Sequence, residues 1–234
     1  TTGICLYGYM ADTWINQVDL SKLSNGVIVD GRTSAGVAIT AAMAQQDVIL
    51  DRIVADTMQS NAMFLTNLNA GSMVQVTDCY LSANTVAAQS PGNGIQVLSC
   101  GGAVNIHGGI LMCSTPALAN TYGIQIQGSN NVTVHGTLIK DFAFGMFCAY
   151  STGVWASAII TRTEGTSNAG IYIDNLSRSH LVPIVCSTGA GRWTYGINSA
   201  GTVNDHHNEI NITGIQISSL TTGLATSKIY YNGA

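Results

Sequence analysis

Charge is what this sequence has least of. Charged residues make up 9% of its 234 positions, with eight Lys and Arg against twelve Asp and Glu, whereas soluble domains carry about 25%. The eight cations form no cluster. Nucleic-acid binding needs a basic stripe, so that class of function is set aside. Long apolar runs are also missing; none reaches the roughly 18–20 residues that cross a bilayer, and no membrane insertion is expected. Helical periodicity is scarce. The six cysteines, Cys5, Cys79, Cys100, Cys113, Cys148 and Cys186, contain no Cys-x-x-Cys pair. No zinc site is therefore expected, and no cofactor. Buried core thiols are the simple reading and disulfides the alternative. Reduced thiols would suit assembly in a cytoplasm.

What the chain does contain is a repeat. A glycine followed by an alternating apolar pattern returns at Gly94-Ile95-Gln96-Val97, Gly123-Ile124-Gln125-Ile126, Gly145-Met146-Phe147-Cys148, Gly170-Ile171-Tyr172-Ile173 and Gly196-Ile197-Asn198. The steps are 29, 22, 25 and 26 residues. A second strand follows in phase, at Val74-Gln75-Val76-Thr77, Val104-Asn105-Ile106-His107, Val132-Thr133-Val134-His135 and Val154-Trp155-Ala156-Ser157, with weaker copies at Leu181 and Ile210. Earlier copies are read at Gly36-Val37-Ala38-Ile39, Ala62-Met63-Phe64-Leu65 and Val48-Ile49-Leu50-Asp51. Strand repeats of this length predict a solenoid of stacked β coils. The expected fold is all-β, a single-stranded right-handed parallel β-helix of about 7–8 coils, roughly 4.8 Å per coil. A cap is expected over residues 1–25, with a short helix possible between Tyr7 and Leu23, and the β-helix domain over 26–234.

Side chains alternate across a strand. Ile95, Val97, Ile124, Ile126, Ile171 and Ile173 should face inward, and Gln96, Gln125, Phe147, Tyr172 and Asn198 should form one outward column. Amides bond sugar hydroxyls in both senses, and aromatic rings offer a flat apolar face. This column is the expected substrate-binding surface, with Trp193 beside it. A second outward column reads Asp51, Thr77, His107 and His135. Its two His could bind metal or move protons, or serve as a corner device. Asp141 and Glu164 fall in the same turn of adjacent coils, with Lys140 and Arg162 beside them. They are the first candidates for a catalytic carboxylate pair, since glycoside hydrolysis needs two carboxylates about 5–9 Å apart; a salt-bridged turn is the other reading. Asp174, Arg192, Trp193, Asp205, His206, His207 and Glu209 form a looser cluster, with Asp174, Asp205 and Glu209 as the next catalytic candidates. Mean hydropathy is +0.26, and outward-facing Phe64, Leu98 and Phe147 add to it. Both point to a homo-oligomer.

The G-φ-x-φ strands at 94, 123, 145 and 170 and the V-x-φ-H-G strands at 104 and 132 resemble right-handed parallel β-helix proteins of the pectin-lyase-like class. The motifs of polygalacturonases and the basic signature of pectate lyases are absent; His107-Gly108-Gly109 is the nearest approach to Gly-His-Gly. Within the class the chain looks most like a phage tailspike or virion β-helix, on its few cations and its Ser/Thr/Asn-rich turns. That resemblance implies a homotrimer on the virion surface, assembled in the host cytoplasm, touching other virion proteins and binding host-surface polysaccharide. The chain begins with Thr, and a fragment or processed product is expected. A polysaccharide depolymerase and a purely structural virion rod are the rival readings. An ice-binding β-helix would need a regular Thr-x-Thr array, and the outward columns are mixed.

Overall fold

The computed structural model describes residues 1–39, 46–83, 92–114, 120–187 and 190–200, and beyond them the strands Ile210–Ile212, Gln216–Ile217 and Ile229–Asn232. All regular structure among the described residues is β-strand, and the strand ladders are parallel. The chain winds a β-solenoid of about seven turns.

Each turn contributes to three faces. The first face stacks Thr2–Tyr7, Asn25–Asp30, Asn61–Thr66, Asn93–Leu98, Tyr122–Gln127, the start of Phe144–Arg162, Thr166–Ser177, Arg192–Ala200 and Ile229–Asn232. The second face stacks Met10–Asn16, Gln46–Asp51, Met73–Thr77, Ala103–His107, the start of Asn130–Lys140, the middle of Phe144–Arg162, Ser179–Leu181 and Ile210–Ile212. The third face stacks Asp19–Ser21, Val54–Met58, Tyr80–Ala83, Ile110–Cys113, the ends of the two long strands, Ile184–Ser187 and Gln216–Ile217.

The interior is a set of apolar columns. Met63, Ile95, Ile124, Met146, Ile171 and Ile197 stack in register on the first face. Val48, Val74, Val104, Val132 and Val154 do so on the second. All are buried. β-Branched side chains suit this pleated surface, because equivalent residues lie about 4.8 Å apart and fit against one another.

The glycine near the start of most first-face strands has a steric cause; Asn61–Thr66 carries Ala62 there instead. A Cβ on Gly123 would overlap the Ile139 Cγ2 and the Gly145 carbonyl, and Gly94, Gly145 and Gly170 meet equivalent neighbours. The corner from the second to the third face turns through positive φ in successive coils, at Gln17, Arg52, Asp78, Gly108 with Gly109, and Gly136. The left-handed conformation costs a non-glycine residue about 1–2 kcal/mol. His107 and His135 are each followed by glycine because the bend falls there.

Two expectations change. The opening segment holds strands and no helix. Thr2–Tyr7, Met10–Asn16 and Asp19–Ser21 pair with the second coil, and Ile4, Leu6, Ile15 and Leu20 pack partly buried against the core. Its alternation is weak because this rung packs against a neighbour on one side. The Gly36–Ile39 stretch is a turn with an isolated antiparallel bridge, Arg32 to Ala38; the first-face strand of that coil is Asn25–Asp30. All six cysteines are free thiols.

Candidate functional site on the second face

The expected first-face column exists in register: Gln96 pairs with Gln125, Gln125 with Phe147, Phe147 with Tyr172 and Tyr172 with Asn198. From Gln96 to Tyr172 its groups are occupied with one another or with neighbours on the same face. Gln96 Nε2 donates to Gln125 Oε1 at 3.0 Å, and Asn93 Nδ2 donates to the same oxygen at 3.2 Å. The Phe147 and Tyr172 rings stack with centroids 4.9 Å apart and planes 1° from parallel. Tyr122 and Phe144 stack beside them at 5.2 Å. Each such pair contributes about 0.5–1.5 kcal/mol beyond its buried area. Burial also raises the Tyr122 phenol above its ordinary pKa. Ring faces that cover each other are not open to a sugar, so this column stabilises the sheet first.

The second face is different. Its outward column runs Trp14, Ile49, Gln75, Asn105, Thr133, Trp155 and His180, in register throughout. Beside it runs the column Asp51, Thr77, His107 and His135. The two columns meet in a hollow of about 340 Å³ lined by His107, Thr133, His135, Trp155, Ser157 and His180, among others. The His107 and His135 rings lie 5.0 Å apart, tilted by 51°. His180 meets the Trp155 ring edge-on at 5.6 Å. Trp155 is 58% exposed, an unusual position for the largest side chain on a rigid sheet. The hollow therefore offers an open indole, three imidazoles and two hydroxyls on a fixed frame. That set can stack on a pyranose ring and bond its hydroxyls.

This chain is similar to a phage tailspike. The full-length tailspike protein 2 from Escherichia coli O157:H7 bacteriophage CAB120 aligns with it at 13% identity and a TM-score of 0.33. The alignment covers 90% of this chain and 35% of that one. No family model matches, and no curated protein matches.

The carboxylate pair does not form an open site. Asp141 is 5% exposed and has φ 65° at the corner between the third and first faces. Its carboxylate accepts from the Thr163 backbone N–H at 2.6 Å and from the Thr163 hydroxyl at 2.8 and 2.9 Å. The buried Arg162 guanidinium donates to the Asp141 and Phe142 carbonyl oxygens at 2.7 and 3.3 Å. Burial pulls Arg162 below its ordinary pKa, against the attraction of Asp141. Asp141 thus closes a corner, with Glu164 exposed in the same turn. Asp174 lies half-buried on the first face, two residues beyond Tyr172.

Trp193, expected beside the substrate, is fully buried, and its Nε1 donates to the Cys186 carbonyl at 2.8 Å. It shares the inward parity of Ile197, four residues on, and can offer no ring face to a ligand. Asp205, His206, His207 and Glu209 lie outside the described residues, as does the Arg192 side chain. Among the described residues no group of three or more His, Cys, Asp or Glu is placed to hold a metal ion.

Trp155 and His180 were not among the expected site residues. The signal was available for Trp155. It occupies the x position of its V-x-φ strand, the parity of Asn105 and Thr133, and so points outward.

Proposed function

We propose that this β-solenoid is a phage-spike-type surface protein that binds host polysaccharide in the second-face hollow. One observation carries the reading: Trp155 stands exposed on a rigid sheet above a hollow lined by hydrogen-bonding side chains. Sugar recognition asks for that pairing of a flat apolar ring with nearby donors and acceptors. The buried free thiols and the few cations agree with a protein built in a reducing cytoplasm and used outside it.

The reading includes self-association, with a trimer as the form proposed. The third face supports it. Val54, Tyr80, Ile110, Leu138, Ile159 and Ile184 form one outward column in register, apolar except for the tyrosine hydroxyl. Ile110 and Ile159 are exposed in the single chain. A stripe parallel to the rod axis matches the same stripe on another copy.

The test of the binding role is Trp155→Ala measured on a glycan array and against purified host capsule and lipopolysaccharide. Affinity should fall about tenfold or more, since exposed Trp anchors dominate such contacts, while circular dichroism stays unchanged. Binding equal to that of the unaltered protein would remove the hollow from consideration.

A further inference from the structure

The chain has three tryptophans. Trp193 is buried, and the other two stand in one outward column of the second face, Trp14 at 66% exposed and Trp155 at 58%. The ladder Trp14, Ile49, Gln75, Asn105, Thr133, Trp155 is in register, so the two rings are five rungs apart. At about 4.8 Å per rung their separation is about 24 Å. Between them the column lies low: Ile49, Gln75, Asn105 and Thr133 are half-buried, and all but Ile49 carry hydrogen-bonding groups. Each end has its own hollow, about 340 Å³ beside Trp155 and about 310 Å³ beside Trp14, the latter lined by Thr13, Ile49 and Met73 among others. The face therefore presents a raised ring and a recess at both ends of a level, mostly polar floor.

We infer that Trp14 is a second anchor on this binding face, and that the polysaccharide it takes is a linear chain laid along the rod with both rings engaged at once. The inference rests on the polysaccharide reading for its ligand; the register and exposure of Trp14 supply the rest. A terminal sugar or a short branch fills one hollow and gains from one ring. An extended chain advances by about one rung spacing per pyranose, so a segment of about six sugars covers both rings and the floor between them. Gln75, Asn105 and Thr133 can each meet sugar hydroxyls as donor or acceptor. Once one ring is engaged, contact with the other is intramolecular, and the sheet that fixes both rings has no linker to order. A linear chain is thereby favoured over a single-sugar epitope.

The probes are fragments of host capsular polysaccharide and of lipopolysaccharide O-chain, cut by mild acid and sized to about two and about eight sugars, the longer exceeding the five-rung gap. Calorimetry on the unaltered protein should show the longer fragment binding at least about tenfold more tightly than the shorter. Trp14→Ala should weaken the longer fragment about tenfold, to near the affinity of the shorter one. Trp155→Ala should weaken it as well, with the β circular-dichroism signal retained in each variant. In a Trp155→Phe protein Trp14 is the exposed indole, and saturation with the longer fragment should shift its emission. Unchanged affinity of the longer fragment for the Trp14→Ala protein, or unshifted Trp14 emission at saturation, overturns the inference. Where Trp155→Ala still weakens binding in that case, the polysaccharide reading stands without this extension of it. Failure of both fragments to bind the unaltered protein removes the polysaccharide reading itself, and this inference with it.

Discussion

Cys148 has core on every side. Burial pushes its thiol up to about 12, and it pushes Cys79 and Cys100 up to about 11. The thiolate is the reactive form, so these three stay inert at neutral pH. Cys5 is exposed and Cys186 half-buried, with its thiol raised by burial. A thiol reagent at pH 7.5 should therefore modify Cys5 rapidly, Cys186 slowly and the buried cysteines only after denaturation, as mass spectrometry of the labelled peptides will show. Rapid native labelling of Cys148 would contradict the packing described above. The same scale explains what the sequence left hidden at the site. Parity gives the direction of Trp155 and of Tyr172 alike. Whether a ring face is open or covered depends on its neighbours' rotamers, and parity carries none of that. Tyr172 has Phe147 stacked on it, whereas Trp155 meets His180 edge-on and stays exposed.

At the scale of one strand, the opening glycine decides how closely the coil can close. Gly123→Ala forces a methyl against Ile139 and the Gly145 carbonyl, and the fold should lose about 1–3 kcal/mol, the usual cost of overpacking. Urea unfolding followed by circular dichroism will measure it, and an unchanged midpoint would mean the strand can shift aside. Repeated constraints of this kind made the architecture readable. Successive rungs present the same inward pair, so Val74, Val104, Val132 and Val154 recur at the coil spacing. Misreadings arose where a rung lacks full neighbours or where a short match occurs by chance. Gly36-Val37-Ala38-Ile39 fits the local pattern, but a turn and an antiparallel bridge hold it. The opening rung meets a partner on one side, so fewer of its side chains needed to be apolar.

At the scale of the whole molecule, the low charge and the third-face stripe belong together. Six in-register rungs of outward Val, Tyr, Ile and Leu are an edge-to-edge apolar surface of the kind that marks an interface. Placing a lysine at Ile110 and another at Ile159 should convert the proposed oligomer to monomer while leaving the β signal intact. Sedimentation equilibrium will report it; an oligomer unaffected by both changes would move the interface to another face. One further property follows from the positive-φ bend between the second and third faces. Arg52, Asp78 and Gly136 turn the chain in the same way, so one bend can be exchanged for the next. Removing or duplicating the stretch between two of them would shorten or lengthen the rod by one layer, about 4.8 Å. The gap between its two exposed tryptophans is thus adjustable in fixed increments, like the marks on a ruler, without redesign of either end.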